Sequence, residues 1–373
     1  MPYKGTENFS HKQSERLGVL VTNLGTPDAP TTPALRRYLG EFLWDPRVVE
    51  VPRPIWWLVL HGIILRIRPK RSAEAYASVW DKDGSPLLIH TANQAEGIRK
   101  ALQARYGNDV VVGFAMRYGN PSIESALLEL AARPGIGEIF YIPLYPHYAE
   151  STVTTSVREA ERVIAQHNLD IRLRVITPFY NHPGYLDALV ASAAEPLSHS
   201  DDYDHVLFSY HGLPELHIMK ADPTGSHCLK VPDCCSVPSP AHATCYRHQV
   251  LETTRLFVER TGLPADRYTV TFQSRLGRAK WLEPSTEETL KQLAGRGVKR
   301  VLVLCPAFIT DCLETLEEIE IGGDEIFREA GGESLTLLPC LNDHPAWVKT
   351  LTGWIEAPES ASAQDLLNVS KRL

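Results

Sequence analysis

The sequence predicts an α/β protein built from two doubly wound domains, and three observations carry that prediction. The chain has 373 residues, which at roughly 150 residues per domain suggests two domains or one large α/β unit. Short β-branched or apolar runs recur along it, each long enough for a strand buried on both faces. Segments with helical spacing lie between them, so the order is repeatedly β then α, the pattern of parallel sheets covered by helices on both sides.

Residues 1–15 are polar, lack the apolar stretch of a secretory signal, and read as a flexible arm. GVLVTNLG (18–25) is the first strand. IWWLVLHGIIL (55–65) is the most apolar stretch, and its 11 residues fall well short of the roughly 20 needed to span a bilayer. Its apolar residues lack the one-sided spacing of a helix packed on a sheet, so it reads as a lip that touches a membrane surface. The alternative is that Trp56 and Trp57 belong to the core. Helical spacing returns at 86–107, followed by strand 110–117, helix 122–133, strand 138–146, helix 152–167 and strand 171–178. PFYNHPGY then interrupts the periodicity near residue 180, which sets one domain at 16–180 and the other at 181–355, with a tail at 356–373. The second half repeats the pattern with strands at 205–212, 268–275, 300–308 and 334–339 and a helix at 244–262. Its one long irregular stretch, 220–245, is dense in Pro, Ser and Cys, and a loop of that length is usually functional or disordered.

Hydrophobic residues make up 43% of the chain and charged residues 22%, which excludes a disordered or collagen-like protein. The net charge is -7 and no long basic run occurs, so a nucleic-acid partner is not expected. Seven cysteines make an odd number for a disulfide framework, and with no export signal the expected location is the reducing cytoplasm. The composition does not reveal an oligomeric state.

In open parallel sheets ligands bind beyond the carboxyl ends of the strands. Those ends are unusually polar here: Asn23-Leu24-Gly25-Thr26, Arg117-Tyr118, Tyr145-Pro146-His147-Tyr148, Tyr210-His211-Gly212 and Gln273-Ser274-Arg275. The clustering argues for one cleft between the domains. No GxGxxG, GxxxxGK or GxSxG string follows a strand, so a nucleotide cofactor and a hydrolase triad lose their support. His211, on a turn after its strand, suits a general base or a metal ligand, with a loop histidine bonded to a backbone carbonyl as the alternative. Asp311, Glu314 and Glu318 follow at i, i+3 and i+7 on an expected helix, with Glu325 further along the same stripe. Carboxylates there could carry divalent cations inward, or they form a capping box and a solvated face. Arg68, Lys70, Arg71 and Ser85 border the apolar run and suit a flat hydrophobic ligand with carboxylates at one edge.

Seven segments carry a family resemblance: TNLGTPDAP, GSPLLIHT, MRYGNPSI, YPHYAESTV, SYHGLPE, VTFQSRLGRAKWLEP and PAFITDCLETLEEI. In this order and at these separations they resemble ferrochelatase, the enzyme that inserts Fe2+ into protoporphyrin IX to give protohaem in the last step of haem biosynthesis. The resemblance runs from about residue 16 to about residue 350. It implies two Rossmann-like domains of the chelatase type with the porphyrin between them. By motif it implies His211 and Glu314 as catalytic residues that also meet the substrate Fe2+, and Asp311 and Glu318 as members of an acidic line. Leu24, Tyr118, Tyr145 and Trp281 fall at positions lining the macrocycle, Arg68, Tyr76 and Ser85 at positions near the propionates, and Arg117 near the pocket. Either Arg68 or Arg71 meets a carboxylate. Cys312 stands where animal relatives carry a histidine, which puts a metal-relay role there in doubt. A porphyrin loses two pyrrole protons as the metal enters, so the site needs a base beside the ring and anionic groups for the cation.

Cys228, Cys234, Cys235 and Cys245 lie within 18 residues, a density of soft ligands that suits an iron–sulfur cluster or zinc, with free thiols as the remaining alternative. Some ferrochelatases carry a [2Fe-2S] cluster, and animal ones draw most of its ligands from a C-terminal extension. No cysteine follows Cys340 here, so this internal loop is the expected site. Two competing functions are weighed against protohaem synthesis: iron insertion into coproporphyrin III, which favours a more polar lip, and a non-catalytic electron carrier, which leaves His211 and the acidic stripe unexplained.

Overall fold

A computed structural model describes residues 16–199, 201–275 and 279–357 and the backbone of 366–368. The expected arm at 1–15 and most of the expected tail lie outside the described residues.

Eight strands form where the β-branched runs stand: β1 (Arg16–Thr26), β2 (Val110–Gly119), β3 (Ile136–Pro143), β4 (Arg172–Ile176), β5 (His205–His211), β6 (Tyr268–Gln273), β7 (Arg300–Leu304) and β8 (Ser334–Leu337). They build two parallel sheets of order β2-β1-β3-β4 and β6-β5-β7-β8, the second repeating the winding of the first. A ninth strand, β9 (Leu366–Asn368), lies in the stretch expected as a tail and pairs antiparallel with β4. Helices start where sequence signals place them. Ser85 caps helix Pro86–Tyr106 with its hydroxyl, Ser122 caps Ile123–Ala131, and Gly262 closes Tyr246–Thr261 in the left-handed region.

The sheets share one core. Val19, Val21 and Phe140 of the first sheet belong to the same buried cluster as Val206, Phe208 and Tyr210 of the second, joined by Phe179, Tyr185, Trp347 and Trp354. Helix Pro345–Glu356, expected with the second half, reaches the first: Trp347 Nε1 donates to Gln94 Oε1 at 3.0 Å. That bond and the aromatic packing hold the two sheets at one spacing, which a shared ligand cleft requires.

The apolar run 55–65 differs from its reading as a uniform lip. It forms helix Arg53–Val59, a π-turn at Leu60–Ile64 and the start of helix Leu65–Ser78. Trp56 and Leu60 are buried, and Trp56 Nε1 donates to the Leu43 carbonyl at 2.7 Å. Ile55, Trp57, Leu58, Ile63 and Ile67 are exposed. The run is therefore two-sided. The π-turn inserts a residue into the helical period and scrambles the spacing on which sequence periodicity depends.

Candidate active site

In a sheet of order 2-1-3 the chain winds in opposite directions from the central pair, which opens a crevice beyond the ends of β1 and β3, and likewise beyond β5 and β7. One pocket lies between the end of β1 and the segment that follows β7. Leu24, Tyr38, Tyr76 and Ser85 wall it from the first half, and Cys312 and Glu314 from the second. Asn23 ties the halves at its floor, its amide nitrogen donating to Thr91 Oγ1 at 3.1 Å and Thr310 Oγ1 at 2.9 Å. Gly25 makes this wall possible: its φ is +118°, and a Cβ there would lie 1.8 Å from the Tyr118 carbonyl oxygen.

Glu314 sits where the chain enters its helix after β7, and Gln273 Nε2 donates to its carbonyl at 2.6 Å. Burial raises the pKa of Tyr38 and of Tyr76, and the Glu314 carboxylate raises both further, so two neutral phenols line the pocket opposite a carboxylate. The Cys312 thiol is buried beside Glu314 and its pKa is pushed up by that burial and by the carboxylate. Glu318 is the second acidic group. Burial raises its pKa, while the Ser274 hydroxyl and backbone N–H, at 2.5 and 2.7 Å, favour its charged form. Ser274 adopts a left-handed φ of 59° to present both donors, a strained conformation that marks a constrained site. Glu318 lies within electrostatic reach of both His211 and Glu314, so one imidazole and two carboxylates converge.

His211 ends β5, half-buried, with Nδ1 2.6 Å from the Gly212 carbonyl. The backbone bond of the alternative reading is therefore present. It has a chemical consequence, because a proton held at Nδ1 leaves Nε2 as the lone-pair nitrogen, and Nε2 has no hydrogen-bond partner among the described residues. Trp281 is half-buried beside the same turn, its ring carbon Cε3 3.2 Å from the position a Gly212 Cβ would take.

Several residues lie elsewhere than the sequence suggested. Asp311 is not on a stripe with Glu314 and Glu318. It precedes the helix, buried, and accepts from Cys340 N at 3.0 Å and Asn342 Nδ2 at 2.6 Å, which makes it an anchor for the segment after β8. Its helix is short, Leu313–Thr315, followed by a π-turn at Leu316–Ile321, so the i, i+3, i+7 face does not continue and Glu325 is exposed. Arg117 does not face the pocket. It pairs with Asp45 at 2.7 Å and donates to Thr155 Oγ1 at 2.8 Å. Burial opposes ionisation of Asp45, but the Thr155 hydroxyl, the Arg47 backbone N–H and Arg117 outweigh it and hold that carboxyl below its usual range. Tyr118 is fully buried behind the wall, donating to Asp45 at 3.1 Å. Tyr145 is buried with no hydrogen-bond partner for its hydroxyl among the described residues. Arg68 and Arg71 are both exposed and stand outside the pocket wall. Tyr38, Asp45, Gln273 and Ser274 were not singled out as site residues, and only the strand-end position of Gln273 and Ser274 could have marked them.

The loop 220–245 is ordered and enters the main core through Cys228, Ala241 and Cys245. Asp222 closes it by accepting from the backbone of His227 at 2.8 Å and Cys228 at 2.9 Å. The Cys245 thiol lies within interaction range of the thiols of Cys235 and Cys228. The Cys235 contact is the largest cause of its lowered pKa, while those of Cys228 and Cys235 are raised. Arg247 approaches the sulfurs of Cys235 and Cys234 at 3.7 and 3.9 Å. His227 and His242 bond the Cys234 carbonyl and His248 the Cys235 carbonyl. Among the described residues no group of three or more Cys, His, Asp or Glu side chains is set in metal-binding geometry. The donor chemistry nonetheless suits a thiolate-bound centre, because Cys228, Cys234 and Cys245 are buried, Cys235 is half-buried, and the Arg247 guanidinium stands beside the sulfurs of Cys234 and Cys235.

The family model described as Ferrochelatase matches residues 16–358. The chain is 49% identical over 356 residues to Ferrochelatase of Marinobacter nauticus, covering 95% of this chain and 90% of that one. It is 52% identical over 334 residues to Ferrochelatase of Pseudomonas fluorescens, covering 89% and 95%. Among solved structures, SirB from Bacillus subtilis with Fe3+ superposes with a TM-score of 0.51 at 13% identity, covering 93% and 96% of the two chains, a likeness of fold alone.

Proposed function

Because the chain belongs to the ferrochelatase family, we propose that it inserts Fe2+ into protoporphyrin IX to give protohaem, with His211, Glu314 and Glu318 doing the chemistry in the cleft between its two sheets. The observation that carries this is that Glu314 lines the pocket while Glu318 lies within electrostatic reach of both Glu314 and His211. Nε2 of His211 takes a pyrrole proton, and Glu314 with Glu318 offsets the charge of the incoming cation. Burial raises the pKa of Glu318, so this carboxyl holds a proton more readily than an exposed glutamate would. Leu24 and Trp281 contact the macrocycle, Tyr76 and Ser85 stand at its propionate edge, and the unpartnered Tyr145 hydroxyl is available to ligand or water. The test compares Fe2+ insertion into protoporphyrin IX and coproporphyrin III under anaerobic conditions. Turnover of coproporphyrin alone would overturn the choice of substrate.

The exposed apolar side chains Ile55, Trp57, Leu58, Ile63 and Ile67 lie among Arg66, Arg68, Lys70 and Arg71, which are also exposed, an arrangement suited to an anionic lipid surface. No helix among the described residues is long and apolar enough to cross a membrane. The chain thus works as a cytoplasmic enzyme in peripheral contact with the inner membrane. Trp57→Ser is expected to weaken sedimentation with anionic vesicles and leave the melting temperature unchanged. Trp56→Ser, at a buried position, is expected to lower stability by about 3–5 kcal/mol. Equal destabilisation by both would remove the lipid-facing role.

Cys228, Cys234, Cys235 and Cys245 would hold a [2Fe-2S] cluster, which supplies one-electron redox chemistry or a structural tie, with zinc as the other metal that four thiolates accept. Protein purified without oxygen is expected to be coloured, with about two irons and two sulfides per chain. Cys235→Ser should bleach it and Cys305→Ser should not. Colourless protein with one zinc per chain would overturn the cluster and keep the ligands.

A further inference from the structure

The thiol loop and His211 are joined by one side chain. Cys245, whose thiol lies within interaction range of Cys228 and Cys235, is the N-cap residue of helix Tyr246–Thr261. The next residue, Tyr246, is 6% exposed, and its hydroxyl donates to the backbone carbonyl of His211 at 2.8 Å. On the other side of the same peptide, Gly212 N donates to the Gln273 carbonyl at 2.7 Å. The His211–Gly212 peptide is thus held at its oxygen by Tyr246 and at its nitrogen by β6. The imidazole is tied to the same turn, because Nδ1 bonds the Gly212 carbonyl of the next peptide.

The two holds differ in what surrounds them. Toward β6 the turn is crowded, since a Cβ on Gly212 would lie 2.8 Å from the Gln273 carbonyl oxygen. Toward the loop, Tyr246 has edge contact with the ring of His147 at 5.8 Å, and the Nδ1 atom of that buried histidine has no hydrogen-bond partner among the described residues. A displacement of Cys245 would reach the His211–Gly212 peptide through the phenol, on the side opposite the bond to Gln273.

We propose that Tyr246 is a positioning residue through which the state of the cysteine loop sets the orientation of His211. The thiols touch no part of the pocket wall. Their effect on metal insertion travels along Cys245, the first turn of the helix and the Tyr246 hydroxyl to the peptide that aims the imidazole. This rests on the reading of His211 as the base and supplies a role for the loop that the chelatase chemistry does not require.

Tyr246→Phe keeps the ring and removes the donor. Loss of one buried hydrogen bond predicts a fall in kcat of about fivefold, with KM for protoporphyrin within about twofold of wild type. The second readout needs no turnover: the ring C–H resonance of His211 in 13C-histidine-labelled protein, assigned by its loss in His211→Ala. Cys235→Ser is expected to shift this resonance in the wild-type background and to leave it in place in the Tyr246→Phe background, with kcat changes that fail to multiply in the double variant. Thermal melting identifies any variant that does not fold, and Tyr246→Phe alone then still decides through its own resonance shift and kcat. An unmoved resonance and unchanged kcat in Tyr246→Phe, or an equal Cys235→Ser shift in both backgrounds, would overturn the link. Wild-type protein that metallates no porphyrin would instead overturn the chelatase reading, since the resonance experiment does not depend on it.

Discussion

Replacing His211 by alanine is expected to lower Fe2+ insertion by about 10²–10⁴-fold, the range for loss of a positioned general base, while the protein melts within a few degrees of wild type. The two parts of this expectation have separate causes. The ring is half-exposed and its one hydrogen bond goes to the carbonyl of its own neighbour, so its removal leaves no distant group unpaired. Its Nε2 also carries the free lone pair suited to accept a pyrrole proton, whereas the pocket's phenols are held neutral by burial and by Glu314. Activity within tenfold of wild type would remove the histidine from the chemistry. A collapse of stability would make the turn structural.

Glu314→Gln should lose activity by at least about 10²-fold, since it removes a charge from the pocket wall and preserves the side chain's shape. Glu317→Gln should cost little, because Glu317 is outside the pocket wall and is not among the main groups acting on Glu318. The comparison separates a directed carboxylate from general negative charge on one segment. Equal losses in the two variants would show that overall charge is what matters. Measuring kcat and KM separately adds resolution, because a group acting on the cation lowers kcat with the porphyrin KM unchanged.

Much of this architecture was legible from local pattern. The eight β-branched runs became the eight parallel strands, since a strand buried on both faces must be apolar nearly throughout. The ends of those strands also located the cleft, because a doubly wound sheet leaves nowhere else for a ligand. What was not legible depends on two kinds of event. π-Turns at Leu60–Ile64 and Leu316–Ile321 shift the helical phase, so the spacing of the apolar run is broken and the expected acidic face does not continue to Glu325. Long-range pairing is the other: Arg117 is claimed by Asp45, 72 residues earlier, and Asp311 by Asn342, 31 residues later. A strand-end arginine that serves a ligand and one that serves a buried aspartate look the same in sequence. The Tyr246–His211 bond, across 35 residues, is likewise invisible to any local rule.

The central claim is that this cleft metallates a porphyrin, and the most direct measurement follows a single turnover. Stoichiometric protein and protoporphyrin IX are mixed with Fe2+ in weakly buffered solution without oxygen, while porphyrin fluorescence, the haem absorption spectrum and released protons are recorded together. The account predicts that fluorescence is lost as the haem spectrum appears, with about two protons released per haem formed, and that His211→Ala still binds the porphyrin but produces neither signal. Wild-type protein that quenches porphyrin fluorescence on binding and then yields no haem and no protons would contradict it.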